Sequence, residues 1–338
     1  MININNRRYI GSKTKLLDAI YEEAIKRVDG KFSFADIFAG TGVVAYEFAK
    51  NGHPVIVNDI LYSNYVSYKS WFSNQEVNSS KLKKITEKFN DLKYESIAEN
   101  YLSNIYGGKY YSINDAKKIG YIRDEIEKMK LELNEREYHS LLTALMYTAD
   151  RIANTVGHFE HFLKKTPEDS NFEIRPLILE KIENSELFQK DANELVKEIK
   201  SDVIYIDPPY NARQYVNFYH VLENLITWKK PTEFEGTSMK FKRNHLKSGY
   251  SRVIAKELMT DLINKIDAKL IIVSYNNTYN ARSTASNNRI KEKDIVKMLK
   301  KKGKLEVVEI DHQYFNSGQT KFSNHKEILY ICEVGKFE

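Results

Sequence analysis

The chain has 338 residues, 42% of them hydrophobic, one cysteine and a net charge of +6, which is enough apolar mass for one large domain or two ordinary ones. The lone Cys332 excludes an internal disulfide framework and a multi-cysteine zinc site, and no metal centre is expected. No run of about 18 apolar residues exists to span a bilayer, and the opening Met-Ile-Asn-Ile-Asn-Asn-Arg-Arg lacks a secretory apolar core, so a reducing, cytoplasmic location is expected.

In chain order, Arg7-Arg8-Tyr9-Ile10-Gly11-Ser12-Lys13 precedes the helical spacing Leu16, Leu17, Ile20 and Ala24. A glycine turn with cations at a helix start can hold a carboxylate, although basic arms are commonly just solvated. The next unit reads as a strand over Phe32–Phe38, a tight turn Ala39-Gly40-Thr41-Gly42, a helix over Val43–Ala49 and a second strand Val55-Ile56-Val57 ending in Asn58-Asp59. Glycines let the backbone approach a ligand, and an acid after the second strand of such a unit suits ribose hydroxyls. The turn is not the Gly-x-Gly-x-x-Gly dinucleotide fingerprint, since Ala45 stands three after Gly42, so an adenosine-bearing ligand without a pyrophosphate is the better match.

From about Tyr65 to Leu187 the alternation of strand and helix stops. The spacing predicts helices over Lys81–Leu102, Ala116–Leu133 and Glu135–Ala153, a block too long for a connecting loop and therefore an insert. Its Tyr106, Tyr110 and Tyr111 suit either nucleic-acid stacking or packing of the insert. His158 and His161 stand three apart without further ligands in recognisable spacing, which suits surface or substrate-side roles better than a metal. Asp191 precedes a predicted helix to Ile199 and fits either its cap or the amino group of an adenine ring.

Val203-Ile204-Tyr205-Ile206 reads as a buried strand that stops at Asp207-Pro208-Pro209-Tyr210. Prolines fix their own φ and push the preceding residue out of the helical region, so this segment is stiff. The Asp207 carboxylate and the Pro208 carbonyl can then act as two fixed acceptors beside the Tyr210 ring, an arrangement for a flat substrate with an amino group. An exocyclic base amine is a poor nucleophile because its lone pair is delocalised into the ring. Two acceptors draw the nitrogen toward tetrahedral geometry and localise that pair for attack on a methyl group. The plainer alternative is a strand end with Asp207 as a cap.

Beyond it, Phe218–Leu225 has helical spacing. Between Thr237 and Lys256 lie Lys240, Lys242, Arg243, Lys247, Arg252 and Lys256 with no Asp or Glu, a candidate polyanion contact. Leu270–Asn277, Leu305–Ile310 and Glu327–Cys332 complete the strands, the last after a turn at Asn316-Ser317-Gly318.

With the glycine turn, the acid after the second strand and Asp-Pro-Pro-Tyr in this order, the chain resembles the adenine-specific DNA methyltransferases of the D12 class, the group that includes the Dam enzymes. The resemblance implies an α/β fold, a Rossmann-like class I sheet dependent on S-adenosylmethionine, with helices on both faces and an inserted helical DNA-recognition subdomain. The catalytic domain would be 1–64 and 188–338, and the insert 65–187. Tyr9, Gly11, Ser12 and Lys13 would embrace the methionine part of S-adenosylmethionine, Phe38, Gly40, Thr41 and Gly42 match the glycine motif, and Asp59 matches the ribose-binding acid. Asp207, Pro208, Pro209 and Tyr210 match the catalytic motif, with Tyr210 stacking on a flipped adenine. Two departures stand out: Ser12 replaces a second glycine, and Lys190-Asp191 stands where the family has Gly-Asp for the cofactor adenine. Lys240, Lys242, Arg243, Lys247 and Arg252 would be a second contact to double-stranded DNA, and a restriction endonuclease acting on the same site is an implied partner. Methylation of cytosine N4 or of RNA adenine, or a DNA-binding relative without catalysis, are the competing functions.

Overall fold

The computed structural model describes residues 1–279, 284–311 and 326–336, so the expected turn at Asn316-Ser317-Gly318 lies outside the described residues. The chain folds as two compact units, one comprising 13–60, 184–215 and 245–338, the other 1–12, 61–183 and 216–244.

The first unit is built on a seven-stranded sheet. Its strands are β1 (Phe34–Asp36), β2 (Val55–Asn58), β3 (Ser185–Phe188), β4 (Val203–Ile206), β5 (Leu270–Asn276), β6 (Gly303–Asp311) and β7 (Lys326–Val334), in the order β3-β2-β1-β4-β5-β7-β6. The first five are mutually parallel, and β7 runs antiparallel between β5 and β6. The runs Val-Ile-Val-Asn and Val-Ile-Tyr-Ile are buried throughout, as strands covered on both faces must be.

Alternation along β1 separates the two layers. Phe34 stacks on Phe48 of helix α2 (Val43–Lys50) with ring centroids 3.6 Å apart, and Tyr21 of α1 (Leu17–Ile25) meets the same Phe48 at 5.1 Å. Ala35, Ile204 and Ile206 instead join a core with Leu195, Met259, Leu262, Ile295 and Leu299. That core is supplied by helices between 192 and 300, among them Ala255–Lys265 and Glu292–Lys300. The predicted strands are present, with β1 shortened at both ends to Phe34–Asp36. The sequence reading missed β3, whose Ser-Glu-Leu-Phe is a half-exposed edge without an apolar run. The helix expected to reach Ile199 is only Ala192–Leu195.

In the second unit, α3 (Tyr62–Trp71), α4 (Ser79–Asn90) and α6 (Ile113–Lys128) pack on α7 (Glu135–Ile152), and α5 (Tyr101–Tyr106) packs on α6. Asn134 and Glu137 cap α7 reciprocally. The helix predicted over Lys81–Leu102 ends instead at Asn90. There Lys118 donates to the carbonyls of Asn90 and Leu92 at 2.9 and 3.0 Å, satisfying acceptors that a helix end leaves open, and Asn100 then caps α5. Tyr106, Tyr110 and Tyr111 are each at most 1% exposed. The nucleic-acid role entertained for them is therefore overturned: they pack the helical unit.

Because Phe48 carries the α2 side of the sheet, Phe48→Ala is expected to cost about 3–5 kcal/mol. Urea denaturation should show this as a lowered midpoint.

Candidate active site

At the carboxyl ends of adjacent β1 and β4 the strand order reverses, the place where open α/β sheets open a crevice. Asp36↔Tyr205 pairing puts the glycine turn and Asp207 on the same edge. Because β7 is antiparallel, its amino end arrives there too, with Glu327 opposite Asn276 of β5.

Asp207 follows β4 directly. Its Oδ2 lies 2.8 Å from the Lys13 ammonium, which is 5% exposed, and its Oδ1 accepts the Tyr210 hydroxyl. That hydroxyl is also 3.3 Å from Ser274 Oγ and 3.5 Å from Glu327 Oε2, while Lys13 Nζ stands 5.1 Å from the centre of the Tyr210 ring. Tyr275 supports the tyrosine: its ring centroid is 4.5 Å from that of Tyr210, and its hydroxyl donates to the Tyr210 carbonyl at 3.1 Å. Pro208 is buried, and Pro209 and the Tyr210 side chain are half-buried.

Burial raises the Asp207 carboxyl above its ordinary range, and the Lys13 charge opposes that rise. Burial alone would lower Lys13, but Asp207 and Glu327 more than compensate and its ammonium is held more firmly than usual. Asp36, 1% exposed at the end of β1, is pushed well above the usual carboxylate range by burial and then by the nearby Asp207 charge. Both carboxyls keep their protons to higher pH folded than unfolded. Each therefore contributes stability that is present below the ordinary carboxyl range and lost as pH rises through the raised value.

The glycine turn has the geometry it needs. Gly40 and Gly42 have φ of 55° and 86°, Gly42 caps α2, and Gly40 N–H donates to Asp59 Oδ2 at 3.0 Å. Thr41 is buried, and Phe38 meets the Tyr250 ring edge-on at 5.0 Å. Asn58, which the sequence reading did not single out, bonds the carbonyls of Ile37 and Lys190 at 3.0 and 3.1 Å and accepts Lys190 N–H at 2.9 Å, clasping the turn after β1 to the segment after β3. Asp191 caps its short helix through Asn193 N–H at 2.9 Å.

In the helical unit, Tyr9 stacks on Tyr219 at 4.6 Å and 3°, and Gly11 takes a φ of 78°. Ser12 N–H donates to the Tyr9 carbonyl at 3.2 Å, closing that turn without the second glycine. The unit boundary separates Tyr9, Gly11 and Ser12 from Lys13, and Lys240, Lys242 and Arg243 from Lys247 and Arg252. Lys242 and Arg252 are exposed, and Lys240 and Lys247 are half-buried. Arg243 departs from its expected role as a surface phosphate contact. It is 6% exposed and bonds Asn217 Oδ1 at 2.7 Å, the Phe241 carbonyl at 2.9 Å and Glu235 at 3.0 Å, so it braces the fold. His158 lies against Phe218 at 5.0 Å, and His161 is 3.3 Å from Ser238 Oγ.

This sheet order, with an acid-proline-proline-tyrosine segment at its switch point, is the class I methyltransferase architecture. The family model for the D12 class N6 adenine-specific DNA methyltransferases matches residues 9–281, and the chain belongs to that family. It is 36% identical to the modification methylase StsI of Streptococcus sanguinis over 342 residues, an alignment covering 96% of this chain and 51% of that protein. It is 31% identical to the type II methyltransferase M.NlaIII of Neisseria lactamica, covering 96% and 98% of the two chains, and 31% identical to M.CviAII of Paramecium bursaria Chlorella virus 1, covering 98% and 99%. The chain thus spans about half of StsI and nearly all of the other two.

Replacing Lys13 by Met removes the charge that most opposes the effect of burial on Asp207 and leaves only the Tyr210 hydroxyl bond against it. The Asp207 carboxyl should then titrate at higher pH than in the wild type. Carboxyl-carbon NMR of selectively labelled aspartate checks this, and a shift to lower pH would refute the electrostatic account.

Proposed function

We propose that this chain is a site-specific methyltransferase that moves a methyl group from S-adenosylmethionine to the N6 amine of adenine in double-stranded DNA. The observation that carries the reading is the Lys13–Asp207–Tyr210 constellation, held rigid at the strand-order reversal beside the glycine turn. An ionised carboxylate has about four lone-pair positions, so Asp207 keeps acceptor capacity after Lys13 and Tyr210 have each taken one. Lys13 and Tyr210 orient that carboxylate, Asp207 and the Pro208 carbonyl take the two N–H groups of the target amine, and the Tyr210 ring lies against the base.

The residues present fit the cofactor. Asp36 is buried with Oδ1 lacking a hydrogen-bond partner, an acceptor beneath the glycine turn suited to an ammonium group. Gly40 and Gly42 bring backbone close without side chains, and the Asp59 carboxylate beside them suits ribose hydroxyls. S-adenosylmethionine, when bound, supplies an electrophilic methyl on a cationic sulfur. Tyr9, Gly11, Ser12, Lys13, Phe38 and Thr41 are the further residues assigned to its binding, with Lys13 shared between cofactor and Asp207. Asp191 is committed to its helix cap through one carboxylate oxygen, and the other suits the cofactor adenine. Among the described residues no helix is long and apolar enough to cross a membrane. On this reading the protein works on DNA in the cytoplasm, partnered in function by an endonuclease of the same specificity.

Asp207→Ala is expected to lower methyl transfer by at least about a hundredfold, the loss seen when a transition-state hydrogen-bonding group is removed. Binding of S-adenosylhomocysteine, measured by calorimetry, should stay within a few-fold of wild type. Sequencing of DNA from a methylation-free host expressing the wild-type chain tests the activity itself: no modified adenine would end the proposal. A separate test concerns the exposed cations. Lys242→Gln with Arg252→Gln should reduce the slope of log affinity against log salt by about 0.9 for each phosphate that is no longer neutralised.

A further inference from the structure

The loop 247–254 lies within the sheet-bearing unit, and hydrogen bonds lock it to the segment just after the catalytic motif. Gln214 donates to the Ser248 carbonyl at 3.0 Å and accepts Ser248 N–H at 2.8 Å, a reciprocal amide clasp. Ser251 Oγ donates to the Arg213 carbonyl at 3.0 Å. Tyr250 is buried, with its ring against Phe38 and its hydroxyl on Asn193 Oδ1 at 2.8 Å. A side chain at Gly249 would come within 2.3 Å of Leu258 of the following helix, so the loop also lies tightly on that helix.

From this rigid base the chain turns its least soluble residues outward. Val253 is 85% and Ile254 46% exposed, and Arg252 beside them is exposed too. Lys256 is already paired with Asp294 at 2.9 Å. No acid occurs between 237 and 256. An apolar tip beside a cation, anchored next to a catalytic motif, is poorly suited to water and well suited to a polyanion with an apolar interior. Proteins that open base stacks use this combination, with aliphatic wedges between bases and cations on the flanking phosphates.

We propose that Arg252, Val253 and Ile254 enter the duplex beside the target base, with Val253 and Ile254 occupying the space that the extruded adenine vacates and Arg252 meeting a flanking phosphate. The inference rests on the methyltransferase reading. Its anchorage to residues 213 and 214 means the wedge and the Asp207 clamp keep a fixed separation.

The test uses the full-length chain. Val253→Cys adds an accessible thiol, since Cys332 is buried. Its maleimide labelling should slow at least tenfold in saturating sheared genomic duplex, while labelling of a control Lys301→Cys, at the far end of its helix, should not. In parallel, the double variant Val253→Ser, Ile254→Ser should give a several-fold smaller fluorescence rise than wild type on an oligonucleotide with 2-aminopurine at the methylated position. It should recover most of its methylation rate when the target adenine is mispaired, because a weakened base pair needs less help to open. An unprotected thiol overturns the proposal, as does protection with an undiminished fluorescence rise, which would mean surface contact only. Failure of the wild-type chain to methylate adenine would remove the functional reading and the wedge, while the thiol experiment would still decide whether this loop meets DNA.

Discussion

The pairing of Lys13 with Asp207 is the interaction on which the candidate catalytic edge depends. A carboxylate at the end of a buried strand is expensive to keep ionised, and without a counter-charge it would more readily hold a proton and become a weaker acceptor for an amine hydrogen. The ammonium at 2.8 Å offsets that tendency, and the Tyr210 hydroxyl fixes the orientation of the other oxygen. Lys13 is itself nearly sealed from water, so Asp207, with Glu327, takes the place of solvent around its ammonium. Removing either Lys13 or Asp207 takes away the other's nearest opposite charge in a buried setting.

How the sheet assembles explains which parts of this edge were readable in the sequence. Asp207-Pro208-Pro209-Tyr210 and Gly40-Thr41-Gly42 are local signals: proline and glycine impose backbone geometry whatever surrounds them, so their meaning survives in one dimension. Glu327 carries no such signal. It reaches the edge only because β7 inserts antiparallel between β5 and β6, which brings the first residues of that strand beside the last of β5. Asn58 looked like a polar strand end before an acid, and two of its three bonds, those to Lys190, depend on where β3 lies, a strand too exposed to show an apolar pattern.

The charged stretch illustrates the opposite error, in which composition promised more than packing allowed. Six cations without an acid read as one surface, yet Arg243 is buried on Asn217, Glu235 and Phe241, and Lys256 is taken by Asp294 from a different helix. Acid partners absent from the segment were supplied by the fold. The tyrosines failed in the same way, since stacking on a base and stacking in a core use the same ring, and only burial separates the two.

The electrostatics of the edge bear on the proposed chemistry in a specific way. Asp36, Asp207 and Glu327 all act on the Lys13 ammonium, and Asp59 adds to the repulsion that, after burial, raises the Asp36 carboxyl. In transfer of a methyl cation from sulfur to an amine the positive charge is conserved but moves, leaving the sulfur and appearing on the nitrogen. A negative environment spread evenly along that path would bind the start and the crest of the reaction alike and gain nothing in rate. Rate is gained only if the ionised acid lies at the end of the path where the charge arrives. Asp207 has the Lys13 ammonium at 2.8 Å opposing the effect of its burial, and it belongs to the segment assigned to the amine. Asp36, whose charged form burial disfavours, belongs to the segment assigned to the cofactor. The asymmetry between the two acids thus runs in the direction that favours transfer over tight binding of the reactants.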